Sequence, residues 1–213
     1  MKKLGAIVVI LFSIVQAQAQ FGGIYYQPRP RYARRPPRNV DDGFKPSVNL
    51  TVGYGFPNLD KNQLLDFSNS YPGSVSQVGP FMGSLDYQFQ RNLSLGVLVT
   101  SGTVNRNYYD AGSNALAFNG KLQNTAIMLN LVNYLPGTRT VSPYFRAAIG
   151  GNIWTNNYIQ TDGSKLYNDT GLPDVAYQVS LGMKVNFNPK VGLFVEAGYG
   201  KYILAGGLAF KFN

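Results

Sequence analysis

Four charged residues are the candidates for chemistry in this 213-residue chain: Asp86, Arg146, Lys184 and Glu196. Two carboxylates held close together can share a proton and act as an acid–base pair. A neighbouring arginine or lysine would keep both carboxylates ionised and make them poor proton donors. Charges buried inside a protein are costly unless they are paired. We therefore expect these four residues to form a structural network of salt bridges and hydrogen bonds. A gate in a narrow ion path and catalysis by Asp86 and Glu196 are the alternatives.

Histidine and cysteine are both absent from the chain. Histidine is the commonest general base and metal ligand, and cysteine supplies disulfides and zinc–thiolate sites. Gly120-Lys121 and Gly200-Lys201 lack the Ser or Thr that follows the lysine of a phosphate-binding loop. We therefore expect a protein that is not an enzyme and that holds neither a metal nor a cofactor.

The four charges lie on segments in which polar and apolar residues alternate. In VAYQVSLGMKVNF, residues 175–187, the apolar side chains share one parity and Lys184 lies on the other. Alternate side chains of a β-strand point to opposite faces, so this pattern predicts a strand with one apolar face. Similar segments recur after Pro46. The sequence predicts eight strands, at 47–56, 81–89, 93–103, 122–135, 144–154, 175–187, 191–199 and 206–212.

The connections between these segments alternate in length. Three are short and rich in turn-forming residues, at 90–92, 136–142 and 188–190. Three others are long and polar, at 57–80, 104–121 and 155–174, and the one at 200–205 is brief. An even number of strands with short turns at one rim and longer loops at the other is typical of outer-membrane barrels. We predict an all-β fold, an eight-stranded antiparallel up-and-down transmembrane β-barrel over 46–213, with both termini periplasmic.

Aromatic residues mark both ends of the apolar parity. Those near the long connections are Phe56, Phe81, Tyr177 and Tyr199, and those near the short turns are Phe89, Phe145, Phe187, Phe210 and Phe212. Between them the same parity carries mainly aliphatic residues. Aromatic rings concentrate at bilayer interfaces, whereas a water-soluble barrel would bury its apolar face. The sequence therefore predicts that the apolar face contacts the lipid of the outer membrane.

The first 19 residues have the layout of a secretory signal peptide. Lys2 and Lys3 precede an apolar run from Leu4 to Val15, and Ala17-Gln18-Ala19 is a small-residue cleavage site. The apolar run is short for a helix that spans a bilayer. We therefore expect a mature chain that begins near Gln20 and is exported.

Residues 20–45 form a predicted extended arm in front of the barrel. Prolines between its basic residues disfavour both helix and sheet. The basic residues are Arg29, Arg31, Arg34, Arg35 and Arg38. Because export separates the arm from nucleic acid, we expect an acidic protein, lipid phosphates or a cell-wall polymer as its partner, with a solvated linker as the alternative.

The strand region resembles the small eight-stranded outer-membrane barrels of the OmpA/OmpX type. The resemblance covers residues 46–213 and is clearest where NLVNYLPG leads into PYFRAAIGG. The ending GLAFKF, with Leu208, Phe210 and Phe212, is similar to the C-terminal signal read by the barrel-assembly machinery, although Asn213 follows the final aromatic. The resemblance implies an adhesin, a structural anchor or a subunit of a larger envelope machine. We expect a structural or accessory subunit that docks through the arm, with an adhesin that acts through its long loops as the alternative. A narrow channel is a further alternative.

Overall fold

The computed structural model describes residues 44–64, 67, 70–160, 163–166 and 171–212. Residues 1–43 lie outside this part, and with them the predicted signal peptide and nearly all of the predicted arm. Both stay predictions. Among the described residues, no helix is long and apolar enough to cross a membrane.

Nine β-strands and one short 3₁₀ helix form the regular structure of the described chain. The helix, Leu59–Gln63, lies between the first two strands. The strands are β1 (Ser47–Phe56), β2 (Ser70–Gln90), β3 (Leu93–Asp110), β4 (Leu116–Tyr134), β5 (Val141–Gln160), β6 (Lys165–Leu166), β7 (Val175–Asn186), β8 (Val191–Tyr199) and β9 (Leu204–Phe212).

Eight of these strands close into a barrel. Each pairs antiparallel with its neighbours in the order β1-β2-β3-β4-β5-β7-β8-β9, and β9 pairs back onto β1 from Val48↔Phe212 to Phe56↔Leu204. The two-residue β6 adds to the outer end of β5. Closure gives the barrel strands two neighbours, so no edge is left open around the ring. The predicted eight-stranded antiparallel up-and-down barrel is confirmed.

Strand length divides the barrel into two halves. β1, β7, β8 and β9 have 10, 12, 9 and 9 residues, close to the ~9–11 residues that a tilted strand needs to cross a bilayer. β2 to β5 have 21, 18, 19 and 20 residues. The pairing of β2 with β1 ends at Tyr54↔Phe81, and that of β5 with β7 ends at Gly151↔Val175. Beyond these points the four long strands continue as a sheet, here called the outer wall, at 70–80, 101–110, 116–125 and 152–160.

The outer wall corrects three loop predictions. Most of the segment predicted as the loop 104–121 is strand, as is the second half of 57–80 and the beginning of 155–174. Proline cannot donate to a sheet ladder, and β2 contains Pro72 and Pro80. Both lie on β2 where it forms the edge of the wall, and an edge position needs no donor on its free side.

The two faces of the long strands exchange polarity where the barrel meets the wall. In the barrel part of β3 and β4, Val97, Ile127 and Leu129 point outward while Asn130 is buried inside. In the wall part of β3 and β4 the outward residues are mostly polar, and the inward ones include an apolar and aromatic set beside the buried Asn124, whereas Val78, Ile153 and Ile159 are exposed apolar residues of β2 and β5. The inward set is Val104, Tyr108, Phe118, Leu122 and Tyr158, and the outward set includes Thr103, Asn107, Asn119, Lys121, Gln123 and Thr155. The exchange falls at Ser101 and Thr125, whose hydroxyls are 3.1 Å apart.

The inner face of the wall is covered by the connection between β1 and β2. Leu64 packs in one cluster with Val104 and Leu122. The ring of Phe67 lies edge-on to the ring of Phe118, with centroids 4.8 Å apart, and contacts Tyr108 and Tyr158 in the same way. The wall therefore has a packed hydrophobic layer of its own, which holds it as a defined sheet.

Candidate functional site

Glu196 on β8 is the centre of the polar cluster inside the barrel. Its Oε2 accepts a 2.9 Å hydrogen bond from the Tyr144 hydroxyl and lies 3.5 Å from Arg146 Nε. Its Oε1 accepts a hydrogen bond from the Tyr202 hydroxyl. The Arg146 side chain is fully buried, and its guanidinium carbon lies 5.9 Å from the centre of the Tyr144 ring. Both oxygens of the carboxylate are therefore occupied by groups of the protein itself.

Three elements and one small residue bring this cluster together. Tyr144 and Arg146 are alternate residues of β5 and so point to the same face, while Tyr202 comes from the connection between β8 and β9. Gly182 on β7 is the register partner of both Tyr144 and Glu196. A Cβ atom at this position would overlap the Tyr144 ring, so glycine gives that ring its path to the carboxylate.

Asp86 belongs to a second cluster. Asn130 Nδ2 donates a 2.6 Å hydrogen bond to its Oδ1, and the Ser84 hydroxyl donates a 2.8 Å bond to its Oδ2. Ser84 also shares a 2.7 Å hydrogen bond with Thr51 on the neighbouring strand. Asp86 and Glu196 are held by different partners, and the structure does not join them in one hydrogen-bonded pair. This arrangement does not favour the acid–base alternative.

Lys184 is buried without a salt bridge to any described carboxylate. Its Nζ donates a 3.0 Å hydrogen bond to the Tyr134 hydroxyl and lies 5.1 Å and 5.6 Å from the ring centres of Tyr134 and Tyr144. A cation over aromatic faces is stabilised by the ring quadrupole. Of the four predicted interior residues, the structure therefore brings only Arg146 and Glu196 into an ion pair.

A second ion pair closes the mouth of the barrel below the outer wall. Lys201 Nζ lies 2.7 Å from Asp60 Oδ1, donates a 3.0 Å hydrogen bond to Asn152 Oδ1, and lies 5.2 Å from the Trp154 ring centre. Asn58 caps the 3₁₀ helix by accepting a bond from the Asp60 amide. Burial raises the pKa of the Asp60 carboxyl, against the lowering effect of Lys201. The 3₁₀ helix is thus bound to Lys201 across the mouth.

The remaining predicted site residues lie elsewhere. Leu208, Phe210 and Phe212 are on the outward parity of β9, paired with β1. Their recognition by an assembly machinery stays a prediction. The arm arginines Arg29, Arg31, Arg34, Arg35 and Arg38 lie outside the described residues.

Several residues of the Glu196 cluster and of the Lys201–Asp60 pair were not predicted from the sequence. Tyr144 was within reach of the alternation pattern, because it precedes Arg146 by two residues. Tyr202, Lys201 and Asp60 lie in connections, where no periodicity shows which way a side chain points. A lysine or aspartate in a predicted loop is expected to be solvated, and only the tertiary structure shows that Lys201 and Asp60 are buried.

No protein-family model and no curated protein sequence matches this chain. Among solved structures, the chain is similar to the outer membrane protein Ail of Yersinia pestis in a phospholipid bilayer nanodisc, with 12% identity and a TM-score of 0.41 over 79% of this chain and 100% of Ail. It is also similar to Ail in complex with the heparin analogue sucrose octasulfate, with 13% identity and a TM-score of 0.39 over 78% of this chain and 97% of that one. Likenesses at this level assign no function, and the OmpA/OmpX-type resemblance stays a prediction.

The Glu196 cluster generates a prediction about stability. Glu196→Gln should destabilise the barrel by about 3–5 kcal/mol, because it leaves the charge of Arg146 buried and unpaired. The double variant R146M/E196Q removes both charges and should be less destabilised than E196Q alone. Urea unfolding in detergent micelles, followed by tryptophan fluorescence, measures both. With the single variant R146M measured in the same way, a double variant whose loss equals the sum of the E196Q and R146M losses would show that the ion pair contributes no coupling.

The Asp60 contact generates a prediction about pH. A carboxyl whose pKa is higher when the mouth is closed takes up a proton on closing, so closure should become more favourable as pH falls. The added stability should be complete below the ordinary pKa of 3.8 and be lost as pH rises through the raised value. Hydrogen-exchange protection of residues 59–63, corrected for intrinsic rates, measures closure. Asp60→Asn should abolish the pH dependence, and an unchanged pH profile in that variant would assign it to another group.

Proposed function

We propose that this chain is an integral outer-membrane protein that holds a rigid, polar binding surface, the outer wall, outside the cell. The observation that supports this most is the exchange of polarity along β3 and β4 at Ser101 and Thr125. A strand whose outer face is aliphatic in one half and polar in the other suits two different solvents, lipid and then water. The barrel interior combines buried polar groups such as Asn130 with the apolar Leu98 and Met128, whereas the inner face of the wall carries the packed layer around Leu122 and Phe118.

The orientation follows from the lengths of the connections. Arg91-Asn92, residues 135–140 and residues 187–190 form short turns at the rim where β1 begins and β9 ends. In outer-membrane barrels short turns face the periplasm. The wall and its connections lie at the other rim and would face the outside. In this orientation the C-terminal end of β9 and the residues that directly precede β1 would face the periplasm.

The barrel interior suits an anchor rather than a channel or an enzyme. Large side chains with almost no exposure fill it, among them Arg146, Tyr144, Phe194, Tyr202 and Gln178. An eight-stranded barrel has an interior just wide enough for side chains. The 3₁₀ helix lies across the mouth and is bound there by the pair of Lys201 and Asp60. We infer that the barrel is an anchor for the outer wall on one side of the membrane and for the arm on the other.

The outer face of the wall has the chemistry of a binding surface. Hydroxyl and amide groups dominate it on β3 and β4, where Lys121 is an exposed cation, and Val78, Ile153 and Ile159 add exposed apolar side chains on β2 and β5. Asn119 Nδ2 donates a 2.7 Å hydrogen bond to Asn107 Oδ1, so the two amides are held in place on adjacent strands. At the tip, Asp110 Oδ1 accepts hydrogen bonds from the amides of Gly112 and Ser113. A partner would meet a preorganised surface, which lowers the entropy lost on binding. The preorganised surface therefore favours an adhesin over an accessory subunit.

The arm supports a second candidate function, that of an accessory subunit. Five arginines within residues 29–38 are an unusual density of charge in a chain whose later part is nearly balanced. Arginine donates two parallel hydrogen bonds to a carboxylate or phosphate, so the arm suits an anionic periplasmic partner. The two functions use opposite sides of the membrane and can therefore be separated.

One experiment distinguishes the two functions. The wall variant N107A/N119A/K121A/Q123A and an arm variant with all five arginines changed to glutamine are purified from envelopes beside the wild type, and retained proteins and glycans are identified. We expect the wall variant to lose a partner that the wild type and the arm variant retain. Both variants should keep heat-modifiable migration on gels, since neither changes the barrel.

The opposite result has an equally clear meaning. A partner lost by the arm variant alone would identify the chain as an accessory subunit that docks in the periplasm. Retention of the same partners in equal yield by all three proteins would contradict both functions. The arm's partner should also dissociate as salt rises, because exposed charges are screened beyond about 8 Å at physiological ionic strength.

A further inference from the structure

A basic cavity opens at the rim opposite the wall, between the short turns. Its volume is about 290 Å³. Four cationic side chains line it: Lys184, Lys190, Lys211 and Arg91. Since liquid water occupies about 30 Å³ per molecule, the cavity has room for a small anion together with several waters.

The charge of this cavity is not balanced from within the described chain. None of the described residues that line it is acidic, and none of the three lysines forms a salt bridge to a described carboxylate. The closest candidate in register is Asp86, which pairs with Asn49 across β1 and β2. The Asp86 carboxylate does not line the cavity and already accepts hydrogen bonds from Ser84 and Asn130. Like charges gathered in one cavity repel each other unless an anion joins them.

A buried donor points to the same conclusion independently of charge. Asn49 lines the cavity, is only 5% exposed, and its Nδ2 has no hydrogen-bond partner among the described residues. A buried amide without a partner is costly, so such a group calls for an acceptor. Lys184, which is 7% exposed, lines the same space, and among the described residues its ammonium group donates to one acceptor, the Tyr134 hydroxyl. An ammonium group has three donors.

We propose that this cavity is a binding site for a phosphate group, held by Lys184, Lys211 and Asn49 with Lys190 and Arg91 at its entrance. A tetrahedral dianion offers several acceptors in different directions, which matches donors that reach the cavity from β1, β7 and β9. The phosphate is either a free ion of the periplasm or part of a phospholipid headgroup of the inner leaflet. The site is independent of the outer wall, which lies at the other rim.

The test uses the full-length mature protein, folded in detergent micelles that lack phosphate. Isothermal titration with inorganic phosphate should show saturable binding that weakens as salt rises. K184M and K211M should each weaken it by at least about tenfold, the loss expected for one charge-assisted hydrogen bond. Lys61→Met is the matched control, because it removes one lysine from the 3₁₀ helix at the opposite rim and should leave binding unchanged. Heat-modifiable migration verifies that each variant has folded.

A second titration separates the two sources of phosphate. Short-chain phosphatidylglycerol is compared with the diacylglycerol of the same chain length, which lacks the phosphate. Displacement of inorganic phosphate by the phospholipid alone would identify a headgroup site, and no displacement would identify a site for the free ion. Either outcome supports the proposal.

Three results would overturn it. The first is the absence of saturable binding of either probe to the wild type. The second is equal binding by the wild type, K184M and K211M, which would indicate non-specific attraction. The third concerns Asp41 and Asp42, which precede β1 within chain reach of this rim. Binding by a D41N/D42N variant but not by the wild type would assign the cavity to the chain's own carboxylates.

Discussion

The closed ring of antiparallel pairing determines where the polar and apolar side chains of this protein must lie. Once β9 pairs with β1, each barrel strand has its backbone groups satisfied, and side chains alone decide which solvent each face meets. The apolar parity lies outside over the length of the four short strands, which forces polar residues such as Asn130 and Glu196 into the interior. Those groups must then find partners among themselves. For Glu196 the ion pair and the two tyrosine hydroxyls are those partners, and the small Gly182 lets the Tyr144 ring reach the carboxylate.

The same constraint explains the outer wall. β2 to β5 continue beyond the ring, where their outer faces would meet water, and a strand in water needs its apolar face covered. The connection after β1 provides that cover with Leu64 and Phe67, and in doing so it lies across the mouth of the barrel. The same segment therefore covers the mouth of the barrel and supports the wall. The buried pair of Lys201 and Asp60 fastens the segment that performs both.

The sequence predicted the barrel well, because period-two alternation survives wherever one face is apolar throughout. All eight barrel strands were found, and the inward parity of Asp86, Arg146, Lys184 and Glu196 followed from it. The wall was missed because its alternation is inverted: polar outward residues such as Asn107 and Gln123 resemble a loop when lipid is the expected solvent. The partners within the interior could not be derived either, because the pattern shows which face a residue takes but not which side chain lies opposite across the barrel. The basic cavity at the short-turn rim could not be predicted either, because its lysines come from separate strands and turns and the pattern does not show that they meet.

In the proposed arrangement the outer face of β4 passes from lipid into water near Thr125, and site-directed spin labelling measures this change of solvent. The natural chain has no cysteine, so single cysteines at the outward positions of β4 can be labelled without background. In lipid nanodiscs, labels at 131, 129 and 127 should collide with molecular oxygen and be shielded from a water-soluble nickel chelate. Labels at 123, 121 and 119 should show the reverse, with the change near Thr125. Equal access of the nickel chelate along the whole strand would contradict the account.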